Sequence, residues 1–197
     1  MPDKITIRKQ ILEKRASLAP NILDRAGKTA AEKLILMEEY LNAHTVMVYM
    51  DFRNEVPTET IIAKIRSSGK KLILPLTDKD FKLIPYEIPQ EGKLSDYLFT
   101  SDYGISEPDP NRCKEADPNS IDLIIIPGSV FDQYENRIGY GQGCYDRFLS
   151  AQTHKAFKLA LAYDFQVLPC IPAGPTDVKM DKILTLGTLD LTPESNS

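Results

Sequence analysis

Residues 45–50 (Thr-Val-Met-Val-Tyr-Met) and 71–75 (Lys-Leu-Ile-Leu-Pro) are short apolar runs with the residue types of buried strands. Between them lies a polar turn over residues 51–57, then a stretch that Thr58 can cap, running as a helix to about Ser67 and ending at Gly69. Strand, helix, strand at this spacing is the pattern of a right-handed parallel βαβ crossover. A third apolar run, residues 121–126 (Ile-Asp-Leu-Ile-Ile-Ile), is cut off by Pro127-Gly128 and reads as a central strand. Residues 157–163 add another strand and residues 182–185 a short last one.

The rest of the chain fits around this frame. Residues 3–18 read as a helix with Asp3 as N-cap, Ile7, Ile11, Leu12 and Leu18 on one side and Lys4 and Arg8 on a neighbouring side. Taken alone, that cationic pair is the solvated face of a surface helix. Pro20-Asn21 breaks the chain, and residues 22–41 form a second helix with Leu23, Ala26, Ala30, Leu34 and Met37 at helical spacing. Residues 81–88 are a weaker, alternating strand, expected near a sheet edge because Pro85 cannot donate to a ladder. Residues 94–120, rich in Asp, Pro, Asn and Ser, read as a surface excursion with one helical turn. Residues 169–177 carry three prolines and are irregular, and the tail from Pro193 is frayed. No repeat or long linker interrupts the chain, so the expectation is one α/β domain over residues 1–197, a mostly parallel Rossmann-like sheet flanked by helices.

Composition narrows the function. A net charge of −4 argues against an extensive nucleic-acid surface, and no apolar stretch has the length of a membrane span. The start of the chain has no signal-peptide apolar region. Cys113, Cys144 and Cys170 are odd in number and lack CxxC spacing, as reduced thiols do, and His44 and His154 have no ligand-like spacing. The expectation is a cytoplasmic protein, monomeric, acting on a small molecule without nucleic acid or membrane.

The chemistry concentrates after the central strand. Gly139, Gly141 and Gly143 alternate with Tyr140 and Gln142 and lead into Cys144-Tyr145-Asp146-Arg147. Closely spaced glycines let the backbone approach a ligand, and loop N–H groups entering a helix make a phosphate site. Arg137 and Arg147 flank the loop with cations, and Asp146 offers a carboxylate that can hold a metal ion. Ligands of parallel α/β sheets sit outside the carboxyl ends of the strands, where residues 51–58, 127–147 and 164–166 also fall. Asp181, just before the last strand, is expected to approach that rim. Cations, carboxylates and a glycine loop suit phosphoryl transfer from a magnesium nucleotide. GxxxxGK[ST] is absent, as is GxGxxG after a first strand, so neither a P-loop nor a dinucleotide site is expected.

Several segments together resemble the 5-formyltetrahydrofolate cyclo-ligase family. They are Lys4-x-x-x-Arg8, Asn54-Glu55-Val56-Pro57-Thr58, the long run Pro127-Gly128-x-x-Phe131-Asp132-x-x-x-Asn136-Arg137-Ile138-Gly139-Tyr140-Gly141-x-Gly143-x-Tyr145-Asp146-Arg147, and the late Gln166, Asp177 and Val178-Lys179-Met180-Asp181. The resemblance implies conversion of 5-formyltetrahydrofolate to 5,10-methenyltetrahydrofolate with ATP and Mg²⁺, releasing ADP and phosphate. It implies that Lys4, Arg8 and the loop Arg137, Ile138, Gly139, Tyr140, Gly141, Gln142, Gly143, Cys144 and Tyr145 contact ATP. It further implies that Met50, Glu55 and Tyr140 contact the folate, that Arg137 and Tyr140 serve the reaction, and that Asp146 and Asp181 hold magnesium. Cys144 stands where many relatives have Tyr, Tyr140 where some have Arg and Gln142 where some have Lys. Phosphate neutralisation thus rests more heavily on Arg137, Lys4 and Arg8. Two other readings use similar architecture: a sugar-phosphate isomerase or CoA-transferase relative, which needs no ATP, and a metabolite-sensing domain without turnover.

Overall fold

The computed structural model describes residues 2–101, 104–152 and 156–187; the tail expected to fray from Pro193, and His154, lie outside these described residues. In chain order the elements are α1 (Lys4–Ala16), α2 (Pro20–Leu34), α3 (Glu38–Asn42), β1 (Thr45–Val48), α4 (Glu59–Ser67), β2 (Lys71–Thr77) and β3 (Leu83–Ile88). Then follow β4 (Leu98–Thr100), β5 (Ser106–Pro108), β6 (Lys114–Glu115), β7 (Leu123–Ile126), β8 (Val130–Asp132) and β9 (Arg137–Ile138). The chain closes with α5 (Cys144–Ser150), β10 (Phe157–Ala162), β11 (Val167–Leu168) and β12 (Lys182–Thr185).

The main sheet has seven strands in the order β12-β10-β7-β1-β2-β3-β6. Its first five strands run parallel, and β3 and β6 join antiparallel. Alternate residues face opposite helical layers. Val46, Val48, Leu72, Leu74, Leu123 and Ile125 pack with Ala26 and Ala30 of α2 and Ile61 and Ile65 of α4. Met47, Ile73, Ile124, Ile126 and Ala160 pack instead with Phe148 and Leu149 of α5. Burial on both faces is why these strands read as unbroken apolar runs rather than alternating ones. From β1 the chain moves one way to β2 and β3, and from β7 the other way to β10 and β12. The order therefore reverses between β1 and β7, which is where α/β sheets open a crevice for ligands.

Several expectations are corrected. The second helix starts at Pro20, since a proline at the first helical position loses no bond. It also ends at Leu34, because a turn over residues 35–37 leaves Leu36 exposed and keeps Met37 and Tyr40 in the core. Thr58 precedes α4 without capping it; its hydroxyl donates to the Tyr49 carbonyl at 2.8 Å. β3 does lie next to the sheet edge, with only the two-residue β6 pairing on its outer side, and Pro85 faces Pro75 across the ladder with β2. The excursion over residues 94–120 contains the β4–β5 hairpin and the edge strand β6, and part of the glycine segment forms β8 and β9, paired with β11 in a small sheet. Among the described residues, no helix is long and apolar enough to cross a membrane.

Candidate active site

At the reversal point lies a cleft of about 1320 Å³ walled by the loops after β1 and β7, by α1, and by the β2–β3 and β4–β5 turns. Except for Asp181, each expected site residue lines it: Lys4, Arg8, Met50, Glu55, Arg137, Ile138, Gly139, Tyr140, Gly141, Gln142, Gly143, Cys144, Tyr145 and Asp146.

Close backbone packing builds both loops. After β7, a side chain at Gly128 would put its Cβ 2.4 Å from the Phe131 ring, so only glycine fits where the chain leaves the sheet. Gln166 clamps that turn, its amide donating to the carbonyls of Gly128 and Ser129 at 3.0 and 2.9 Å. Asp132, fully buried, accepts from Tyr134 N–H, Asn136 N–H, the Asn136 side chain and Ile171 N–H. After β1, Arg53 and Asn54 both take left-handed backbone conformations, with φ of 49° and 58°. The end of α1 holds that strained pair: Arg15 Nε donates to the Arg53 carbonyl at 2.9 Å, and the Asn54 amide donates to the Arg15 carbonyl at 3.2 Å.

Glu55 follows directly and is 5% exposed. Its Oε2 accepts from Phe52 N–H at 3.0 Å and its Oε1 accepts from the Tyr140 hydroxyl at 2.6 Å. Arg15 Nη2 donates to that same hydroxyl, and Nη1 to the Gly128 carbonyl at 3.3 Å. Burial pushes the Glu55 carboxyl up to about 7, against the downward pull of the Tyr140 hydrogen bond and the Arg15 charge. Burial, with Glu55 beside it, likewise raises the Tyr140 phenol. A buried acid poised near neutrality thus faces the cleft.

The cationic side is built around Arg137, which is 5% exposed. It donates to Asp146 Oδ2 at 2.9 Å and to the Pro127 carbonyl at 3.3 Å, while its Nε, buried, has no hydrogen-bond partner. Gly141, at φ 108°, bends the loop so that Arg8 lies against it, and Arg8 Nε donates to the Gly139 carbonyl at 2.7 Å. Lys4 pairs with Asp177. Burial opposes the Asp177 charge, but the Gly174 N–H and Lys4 outweigh it and hold that carboxyl below its ordinary value. Arg147 fastens the loop across the cleft, donating to the carbonyls of Gln142 and Phe81 at 2.7 Å each. Lys4 and Arg8 are therefore cleft residues rather than a solvated helix face. Burial raises the Cys144 thiol, which suits a packing residue.

Asp181 does not join this site. It precedes β12, which runs parallel to β10, so it sits at the amino end of the sheet and accepts from Lys158 N–H at 2.7 Å. Both oxygens of Asp146 are engaged, Oδ2 by Arg137 and Oδ1 by Val178 N–H at 3.1 Å. The described residues include no group of three carboxylate, thiol or imidazole ligands. Asp181, at the other end of the sheet, therefore does not share a metal ion with Asp146, whereas the glycine loop with Arg8, Lys4 and the unpartnered Arg137 nitrogen fits a polyphosphate. Sequence reading also missed Arg15 and Glu107, the latter in the segment taken as an excursion. Arg15 had a signal: it lies seven residues after Arg8 and eleven after Lys4, on the same stripe of α1.

Comparisons with known proteins identify the family of the chain. The 5-formyltetrahydrofolate cyclo-ligase family model matches residues 1–186. A probable 5-formyltetrahydrofolate cyclo-ligase of Caenorhabditis elegans is 30% identical over 83% of this chain and 82% of its own length. The 5-formyltetrahydrofolate cyclo-ligase of Escherichia coli is 29% identical over 89% and 96%. The solved structure of Aquifex aeolicus 5,10-methenyltetrahydrofolate synthetase superposes with a TM-score of 0.81 at 28% identity, covering 94% of this chain and 90% of that one. A match over nearly the whole sequence, with the same fold, makes the chain a ligase that belongs to the 5-formyltetrahydrofolate cyclo-ligase family.

Proposed function

We propose that the protein converts 5-formyltetrahydrofolate to 5,10-methenyltetrahydrofolate, with ATP as phosphoryl donor and Mg²⁺ required. The observation that carries this reading is that one cleft holds both halves of such a reaction: a cationic glycine loop around Arg137, and a buried acid, Glu55, bonded to Tyr140 of that same loop. Its volume of about 1320 Å³ exceeds the ~300–1,000 Å³ ordinary for one drug-sized ligand and suits two substrates side by side.

The formyl oxygen of an N-formyl group is a poor leaving group because the amide is resonance-stabilised. Its attack on the γ-phosphorus of ATP expels ADP and turns that oxygen into part of a phosphate ester. N10 of the folate then attacks the activated carbon, phosphate leaves, and N10 gives up its proton. Arg137, Lys4, Arg8 and the loop N–H groups orient the phosphates and stabilise charge as it develops. Glu55, near neutrality and lining the cleft beside Tyr140, accepts the N10 proton. Met50 packs against the ring system. Mg²⁺ is ordinarily held by one or two carboxylates plus substrate phosphates, so here it is read as arriving on the nucleotide.

The test is spectroscopic. Protein, 5-formyltetrahydrofolate, ATP and Mg²⁺ together should produce the near-ultraviolet band of methenyltetrahydrofolate, and omitting any one should abolish it. Tight folate binding with no band would favour the sensing reading, and turnover independent of ATP the isomerase or transferase reading. Arg137→Ala with unchanged turnover would remove Arg137 from the mechanism.

A further inference from the structure

Glu107 lies in the part of the chain that composition marks as a surface excursion, yet it is only 7% exposed and lines the cleft. It belongs to β5, whose hairpin with β4 folds back against β2. One carboxylate oxygen accepts from Thr77 N–H, at the carboxyl end of β2, at 3.1 Å. The other has no hydrogen-bond partner among the described residues, and it is not among their sealed, unsatisfied polar atoms. That oxygen stays accessible from the cleft, so a ligand that displaces water there must bring a donor in its place. Glu55 is differently placed, because both of its oxygens already accept, from Phe52 and Tyr140.

Position narrows the donor. β2 stands two strands from β7, the strand that leads into the glycine loop, a step of about 10 Å at ordinary strand spacing. A phosphate-bearing group at the loop leaves Glu107 facing the far end of whatever lies beside it. Resting on the proposed function, we infer that Glu107 is a specificity-determining residue that receives the paired N3–H and 2-amino donors of the pterin ring. These donors lie across the bicycle from N5, so the same pose turns the formyl group toward Tyr140 and the loop. The folate's glutamate tail is anionic and is repelled from Glu107. The adenine of ATP offers one amino donor beside an acceptor nitrogen and matches a carboxylate less well.

Glu107→Gln keeps an oxygen for Thr77 N–H but presents an amide in place of the carboxylate. The KM for 5-formyltetrahydrofolate should rise about tenfold or more, with the KM for ATP changed less than about twofold. The 2-desamino analogue of 5-formyltetrahydrofolate should lose a similar factor against the unaltered protein and almost none against the variant. An unchanged folate KM in E107Q, or a rise confined to ATP, would overturn the assignment. So would equal use of the analogue and the natural folate by the unaltered protein, a comparison that needs no variant. Equilibrium binding of 5-formyltetrahydrofolate separates the two levels of argument: a protein that never turns over but binds the folate tenfold more weakly as E107Q sinks the proposed reaction and keeps Glu107 in its role.

Discussion

Tyr140 donates its hydroxyl hydrogen to Glu55 Oε1 at 2.6 Å and so joins the phosphate-side loop to the buried acid of the neighbouring loop. Arg15 reaches the same hydroxyl from α1, the helix that also carries Lys4 and Arg8. Three segments far apart in sequence therefore meet at one phenol. The tyrosine at this junction takes its cation from Arg15.

Tyr140→Phe removes that junction and little volume. Turnover in the spectroscopic assay should fall by at least about tenfold, the scale of one charge-assisted hydrogen bond. Glu55 also loses a bond that pulls its carboxyl down, so the acidic limb of the rate profile should move to higher pH. An unmoved limb with full activity would dismiss the junction.

Glu55 also makes a stability prediction. Its carboxyl sits at about 7 in the folded protein against an ordinary 4.5, so between those values the folded state keeps a proton that the unfolded chain has released. Stability therefore falls as pH rises through this window, by about 3 kcal/mol at ~1.4 kcal/mol per unit. Glu55→Gln removes the titration and keeps one acceptor oxygen, for Phe52 N–H, with its amide NH2 turned to the Tyr140 oxygen. Denaturant melts should show the variant more stable than the parent at pH 8 and close to it at pH 5, with turnover lost. Equal pH slopes for the two proteins would refute the raised carboxyl.

How far the chain declares this arrangement depends on the range of the forces involved. The parallel core was legible because β1, β2, β7 and β10 are buried on both faces and must be apolar throughout. The glycine loop was legible because its backbone constraints are local. Arg15 and Glu107 were not, since each is defined by partners distant in sequence: Gly128 and Tyr140 for Arg15, Thr77 for Glu107. Asp181 failed for a related reason. Its place at the amino end follows from the direction of β12 beside β10, a pairing that no short motif encodes.

Gly128→Ala tests the base of the loop. The added Cβ would meet the Phe131 ring, itself fully buried, at 2.4 Å. Overpacking of this kind costs about 1–3 kcal/mol, which should appear as a lower melting temperature. The KM for ATP should rise with it, because Arg15 and Gln166 both hold the Gly128 carbonyl. A melting temperature within a degree of the parent would mean that the turn is not fixed by this contact.

Asp146 and Asp181 should part company when each is changed to asparagine. Asp146 neutralises Arg137, whose side chain is only 3% exposed, so Asp146→Asn leaves a largely buried guanidinium with one charge partner fewer. Losing one side of such a pair costs up to about 3–5 kcal/mol when burial is complete and less here, where Asp146 is 20% exposed. Asp146→Asn should therefore lower both the melting temperature and the apparent affinity for ATP. Asp181→Asn keeps an oxygen for Lys158 N–H and gives up only an ion pair with the Lys158 ammonium at the sheet's amino end. Pairs so exposed are worth about 0–1 kcal/mol, so stability should barely move and the dependence of rate on Mg²⁺ concentration should overlay the parent's. A magnesium titration of the two variants decides the matter: a raised magnesium requirement in D181N would place that carboxylate at the metal after all, and with it a rearrangement that brings residue 181 around the end of β10.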